Sequence, residues 1–293
     1  MFANACSLAM QFTRPVIISF RFYDGSVSSA CGAFVVLNQE GWIMTVAHLW
    51  QPHHTALAHK TEIANYKQEL KKIDEDENLT PAEKDAKKAV LNVNPKWITN
   101  TSFWWGQDGL GLQDVRPLPE ADLILGRLDP FDASSITNYP VLKDPGKNIS
   151  PGTSLCRTGF PFHTIKTDFD PKRNSFSLDA ACLPPPFFPI EGIFTRNVVV
   201  GKSKDNHHEI KFLETSSPGL KGQSGGPIFD CHGTIWGLQS RTKNLPLGFS
   251  PKVKRGDTEV EENQFLNVGE GIHVETILSF IKANRISVQV SEC

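Results

Sequence analysis

Short runs of β-branched and aromatic residues, punctuated by Gly, Asn and Asp, recur along most of the chain. Residues 16–22, 33–37, 42–46 and 123–128 form one set; 155–160, 192–200, 209–214, 227–229, 234–240 and 271–274 form a second. Runs of this length and punctuation predict β-strands. Between the two sets, residues 129–151 carry several prolines and polar residues and read as a connection. Residues 277–281 fit a short terminal helix. One stretch breaks the β pattern. From about 55 to 93 the chain is rich in Ala, Lys, Glu and Asp, with Ile63, Tyr66, Leu70 and Ile73 at helical spacing. A second helix is predicted from Thr80-Pro81-Ala82-Glu83, where Thr80 caps, Pro81 suits the first turn and Glu83 completes a capping box. The pattern is a helical hairpin inserted into a β chain.

Composition adds limits. The chain has 293 residues, 39% hydrophobic and 21% charged, with net charge −2. It is long enough for a substantial core and one or two domains, and its charge implies no bulk attraction to nucleic acid or an anionic membrane. No apolar stretch is long enough to span a bilayer. The first ten residues lack the positive region and long apolar core of a secretory signal, so the expected location is cytoplasmic. The six cysteines are scattered without C-x-x-C, in keeping with a reducing compartment. His53-His54, His207-His208 and Cys231-His232 have no second half to complete a metal site, and phosphate-binding glycine motifs and basic-aromatic surfaces are absent. No metal, cofactor or nucleic-acid partner is expected.

Chemistry concentrates in three strings. Gly222-Gln223-Ser224-Gly225-Gly226-Pro227 presents a serine among glycines that permit a tight turn, and the N–H groups of Gly222 and Ser224 are placed to converge on one oxygen. Taken alone, this string also fits an ordinary turn. Thr45-Val46-Ala47-His48 supplies a base able to take a serine proton. Asp122 opens the otherwise apolar run Leu123-Ile124-Leu125. A carboxylate there is costly to bury unless paired, and the second ring nitrogen of His48 is its natural partner.

The order His48, Asp122, Ser224 and the strings around each resemble the trypsin-like, or chymotrypsin-fold, serine peptidases. Residues 31–48 look like that family's approach to its histidine, 122–128 its aspartate segment and 222–227 its nucleophile loop. The resemblance implies an all-β fold of two antiparallel six-stranded β-barrels with the inserted helical hairpin and a C-terminal helix. The first barrel spans 1–130, with the insert at about 55–93; 131–151 connects; the second barrel spans 152–293. It implies a serine endopeptidase acting on a restricted protein target through an acyl-enzyme, with Gly222 and Ser224 as the oxyanion hole. Ser240 would support the aspartate, and Ser240 and Thr242 would pair with an extended substrate. Gly219, Thr242 and Gly271 suggest an unobstructed primary pocket. Pro218 stands where trypsin has its specificity aspartate; His273 at the wall would favour an acidic or amide side chain, while Glu270, Asp257 or 259–262 would restore a basic preference. Gln223 replaces the aspartate that pairs with a new N-terminus in zymogens, so activation by that route is not expected. Leu49 replaces the cysteine that bridges to the Cys31 position in secreted relatives, and Cys231 lies out of register with Cys156, so free buried thiols are expected.

Two rival readings stand beside this one. Gly222 to Gly226 also fits the G-x-S-x-G of α/β-hydrolase esterases, with Asp257 and His273 following, although Pro227 and Ile228-Phe229 oppose the helix that fold needs. A catalytically idle, protease-like binding module would present the insert to a partner. For the insert itself, a solvated excursion on the first barrel competes with a docking surface for a regulatory protein.

Overall fold

The computed structural model describes residues 1–147 and 149–292. After helix α1 (Ala3–Phe12), six antiparallel strands form the first sheet: β1 (Thr13–Phe22), β2 (Val27–Val36), β3 (Trp42–Val46), β4 (Ile98–Trp105), β5 (Gly111–Leu118) and β6 (Leu123–Asp129), in the order β4-β1-β2-β3-β6-β5. Tight registers such as Val35 with Met44 and Thr45 with Ile124 turn the apolar halves of β2, β3 and β6 into the core. The end strands β4 and β5 touch without a ladder between them, so this half is an open half-barrel rather than a closed one. A bulge in β5 between Gln113 and Arg116, with Asp114 at φ 49°, bends that edge away.

The connection carries the short strand β7 (Val141–Leu142). Beyond it lie β8 (Ser154–Arg157), the hairpin β9 (Thr167–Asp170) and β10 (Ser175–Leu178), then β11 (Ile190–Lys202), β12 (Glu209–Thr215), β13 (Pro227–Phe229) and β14 (Ile235–Pro246). A second hairpin, β15 (Lys252–Arg255) and β16 (Thr258–Glu261), precedes β17 (Phe265–His273), and β18 (Gln289–Val290) ends the series. The order β13-β8-β11-β12-β17-β14 returns to β13 and closes a six-stranded barrel, with β7 and β18 added in parallel beyond β14. One continuous core joins the halves: Met44 and Leu125 of the first sheet pack in the same cluster as Phe212, Phe229 and Ile272 of the second.

Helix α1 is an element the strand pattern misses. Ala5, Ala9 and Phe12 face inward at helical spacing, and Phe2 meets Phe229 edge-on at 6.4 Å, so the chain start packs on the second barrel. The inserted hairpin is helix α2 (Gln51–Glu75) and helix α3 (Pro81–Ala89), with the predicted capping box at Thr80 and Glu83. Neither helix has a buried residue, so anchoring falls to a few contacts along the first two-thirds of α2. The Ile98 N–H donates to His59 Nδ1 at 2.8 Å, the Trp97 indole donates to Glu62 at 2.5 Å, and Tyr66 packs on Tyr23 and Trp97. The terminal helix α4 (Val274–Ala283) buries Ile277 and Ile281. Among the described residues no helix is long and apolar enough to cross a membrane.

Candidate active site

Strand β3 runs into a single 3-10 turn, Ala47–Trp50, which carries His48 out of the sheet. Asp122 fixes that turn with its whole residue. Its carbonyl accepts the Ala47 N–H at 2.9 Å, Oδ1 accepts the His48 N–H at 2.8 Å, and Oδ2 lies 2.8 Å from His48 Nδ1. Asp122 sits at φ 57°, a left-handed conformation that Asp tolerates and that lets main chain and side chain face the same neighbour. An ionised carboxylate only accepts, so Nδ1 carries the ring proton and Nε2 is left with a lone pair. The Ser240 hydroxyl, from β14, donates to the same Oδ2 at 2.6 Å. The imidazole is 44% exposed and therefore reachable from solvent.

The serine loop is tied down on either side of its nucleophile. The Gln223 N–H donates to the Leu220 carbonyl at 2.9 Å, the Gly225 N–H to the Gln239 carbonyl at 2.8 Å and the Gly226 N–H to the Gln223 carbonyl at 2.9 Å. The N–H groups of Gly222 and Ser224 have no acceptor among the described residues. Gly222 adopts φ 98°, and at Gly225 a Cβ would fall 2.0 Å from the Ala33 carbonyl oxygen, so both positions require glycine. Ser224 is half-buried, and its carbonyl accepts the Ala33 N–H at 2.7 Å.

Adjacent residues of β14 hold the two parts together: Gln239 bonds Gly225, and Ser240 bonds Asp122. The structure therefore brings His48, Asp122 and Ser240 together and anchors the Ser224 loop one residue away on the same strand. It does not join the Ser224 hydroxyl to the His48 ring by a hydrogen bond. Beside His48, residues Trp50, Gln51, His54, Pro117 and Pro119 line a cavity of about 430 Å³, so the start of α2 forms one wall of that cavity.

Other predicted positions separate. Thr242 and Gly219 meet, with the Thr242 hydroxyl donating to the Gly219 carbonyl at 2.7 Å. Gly271 lies inside the closed barrel, where a Cβ would strike the Ile228 side chain, and Gly269 stands opposite Thr242 instead. His273 caps α4, accepting the Glu275 N–H on Nδ1 at 3.1 Å, and is buried away from the cleft. Burial, with Lys211 nearby, lowers its pKa to about 4. Asp257 is exposed in the turn between β15 and β16, and Ser224 leads into strand β13 instead of the helix an esterase of the α/β-hydrolase type needs.

Sequence reasoning missed the packing role of Gln223 and passed over Arg157 and Gln239 altogether. Gln223 is fully buried; its Oε1 accepts the Leu220 N–H at 3.0 Å and its Nε2 donates to the Phe188 carbonyl at 3.2 Å, clamping the serine loop. Arg157 and Gln239 are buried beneath that loop and bonded to each other. The signal for Arg157 was available, since it is a lone charge in the apolar run 155–160, as Asp122 is in its own.

The described cysteines are all unpaired. Cys6 Sγ lies 3.9 Å from Cys156 Sγ, burial pushes the Cys31 thiol up to about 12, and Cys231 is exposed. Cys293 lies outside the described residues. No grouping of three or more His, Cys, Asp or Glu side chains able to hold a metal occurs among the described residues.

No curated protein matches the chain. Among solved structures, the active form of the Rv3671c protease of Mycobacterium tuberculosis aligns over 99% of this chain and 88% of its own, at 11% identity and a TM-score of 0.48. The HtrA-type protease AlgW with a tripeptide aligns over 97% of this chain and 63% of its own, at 15% identity and a TM-score of 0.46. A description of the trypsin-like peptidase domain matches residues 32–238, from β2, just before the His48 turn, into β14, where the Ser224 loop is anchored. By that match, which takes in more than half of its length, the chain belongs to the family of trypsin-like peptidase domains.

Proposed function

We propose that the protein is a serine endopeptidase in which Ser224 is the nucleophile, His48 the base and Asp122 its orienting anion. His48 Nε2 takes the Ser224 proton as Oγ attacks the scissile carbonyl. The N–H groups of Gly222 and Ser224 receive the oxyanion, the amine leaves with the proton returned by His48, and water resolves the acyl-enzyme through the same base. The observation that carries this reading is the shared carboxylate: His48 and Ser240 both bond Asp122 Oδ2, one residue along β14 from the bond that holds Gly225. A fluorophosphonate probe tests it. The intact chain is expected to label and Ser224→Ala not to, with an unchanged Tm; His48→Ala should lower peptide cleavage by about 10⁴-fold or more. A folded chain that never labels overturns the proposal. The rival, an idle binding module, is favoured by the missing bond between Ser224 and His48, and the same probe separates the two.

The restricted target and the partner belong to this proposal as well. Helix α2 begins three residues after His48, and its far half and α3 project with only their own contacts, such as Lys88 to Asp74 at 2.5 Å. A regulatory protein or the folded substrate would grip that hairpin. Excising residues 70–93 leaves His59, Glu62 and Tyr66 in place and is expected to slow cleavage of a protein substrate while sparing a short peptide; equal loss on both counts against it. Unpaired thiols at Cys6 and Cys156, close enough to bond, support a cytoplasmic, reducing location.

A further inference from the structure

The interior of the closed barrel is apolar around Leu155, Phe194, Leu213 and Ile228. It turns polar beneath the serine loop. There Arg157, at the end of β8, is 1% exposed. Its Nη1 donates to Gln239 Oε1 at 2.8 Å, its Nη2 donates to the Thr215 hydroxyl, and no carboxylate among the described residues pairs with it. The barrel's two buried acids are committed elsewhere, Glu214 to Arg196 at 2.9 Å and Glu270 to Arg241 and Lys243 at 2.6 Å each. A buried guanidinium with five N–H donors and only neutral acceptors is an expensive arrangement. A carboxamide stands where an anion belongs.

The place of this cation gives it a use. Gln239 is bonded through its main chain to the glycine that follows Ser224. Its amide nitrogen lies 2.1 Å from where a Cβ on Gly219 would be, and Arg157 Nη1 lies 1.9 Å from a Cβ on Gly269. The pair therefore fills the slot between the serine loop and β14, and the Thr242 hydroxyl closes its mouth on the Gly219 carbonyl. Pairing of β14 with β13 stops at Leu238, so the edge from Ser240 onward is open. A peptide added to that edge, with its carbonyl at Ser224, lays the side chain of the attacked residue over this slot.

We propose that the enzyme cleaves after acidic residues, glutamate above aspartate, with Arg157 as the specificity-determining cation. The inference rests on the peptidase reading above. Thr242 swings off Gly219, and the substrate carboxylate replaces the Gln239 carboxamide on Nη1, exchanging a neutral acceptor for a charge-assisted one. Glutamate is favoured because the guanidinium lies deep.

Quenched peptides that differ only in the residue before the cut, as Glu, Asp, Gln, Ala or Lys, test this by kcat/KM, alongside fluorophosphonate labelling of the same preparation. The intact chain is expected to prefer Glu over Gln by about 30-fold or more. Arg157→Gln is expected to bring that ratio near one; should this variant not fold, the ratio in the intact chain decides alone. Preference for Ala means the slot stays filled and overturns the proposal, as does preference for Lys or labelling without cleavage of any acidic peptide. Absence of both labelling and cleavage instead overturns the peptidase reading, and this inference with it.

Discussion

Asp122 accepts from a backbone N–H, a ring nitrogen and a hydroxyl at once, so each donor restrains the other two. Removing the hydroxyl by Ser240→Ala takes away a hydrogen bond to a charged group, and kcat is expected to fall about 10- to 100-fold with little change in KM. Steady-state kinetics on a single peptide checks this. Gln223→Ala frees Leu220 and Phe188 together and loosens the loop that presents the Gly222 and Ser224 amides; probe labelling is expected to slow by at least about tenfold. His273 offers a pH test. Its pKa near 4 in the fold lies below the usual 6.5, so the unfolded chain binds the proton more readily between those values. Its contribution is intact above pH 6.5 and is lost as pH falls towards 4, by about 3 kcal/mol. Denaturant titrations should therefore show a shallower acid slope for His273→Asn, which keeps a capping acceptor. Asp122 was legible in the sequence because an anion in an apolar run demands a partner. His273 was not, since a ring at the end of β17 serves equally as pocket wall or helix cap until the strand's end is known.

At the scale of elements, the capping box at Thr80 was readable because its chemistry is local: the Thr80 N–H and Glu83 carboxylate meet at 2.8 Å within four residues. Thr80→Ala is expected to destabilise α3 by about 1 kcal/mol, seen as faster amide exchange over 81–89, with peptide cleavage unaffected. Strands β4 and β5 were not readable in the same way. Ile98-Thr99-Asn100-Thr101-Ser102 is polar for a strand, and β5 keeps its pairing only through a bulge, so periodicity fades where tertiary pairing decides. Helix α1 escaped for a different reason, because a ten-residue helix is too short to hold by itself and owes its stability to the barrel it covers. Every strand of the second barrel overlaps a run read from the sequence, although β17 begins at Phe265, well before the predicted 271.

Across the whole molecule, the six strands carrying the Ser224 loop form a ring without an edge, while the six carrying His48 do not. No ladder joins the facing rims of β4 and β5, whereas every strand of the ring is paired on both sides over at least part of its length. Deuterium uptake under native conditions should spread from that seam. On gentle warming the half that holds the base would then soften first, and turnover would fade while most of the circular dichroism signal persisted.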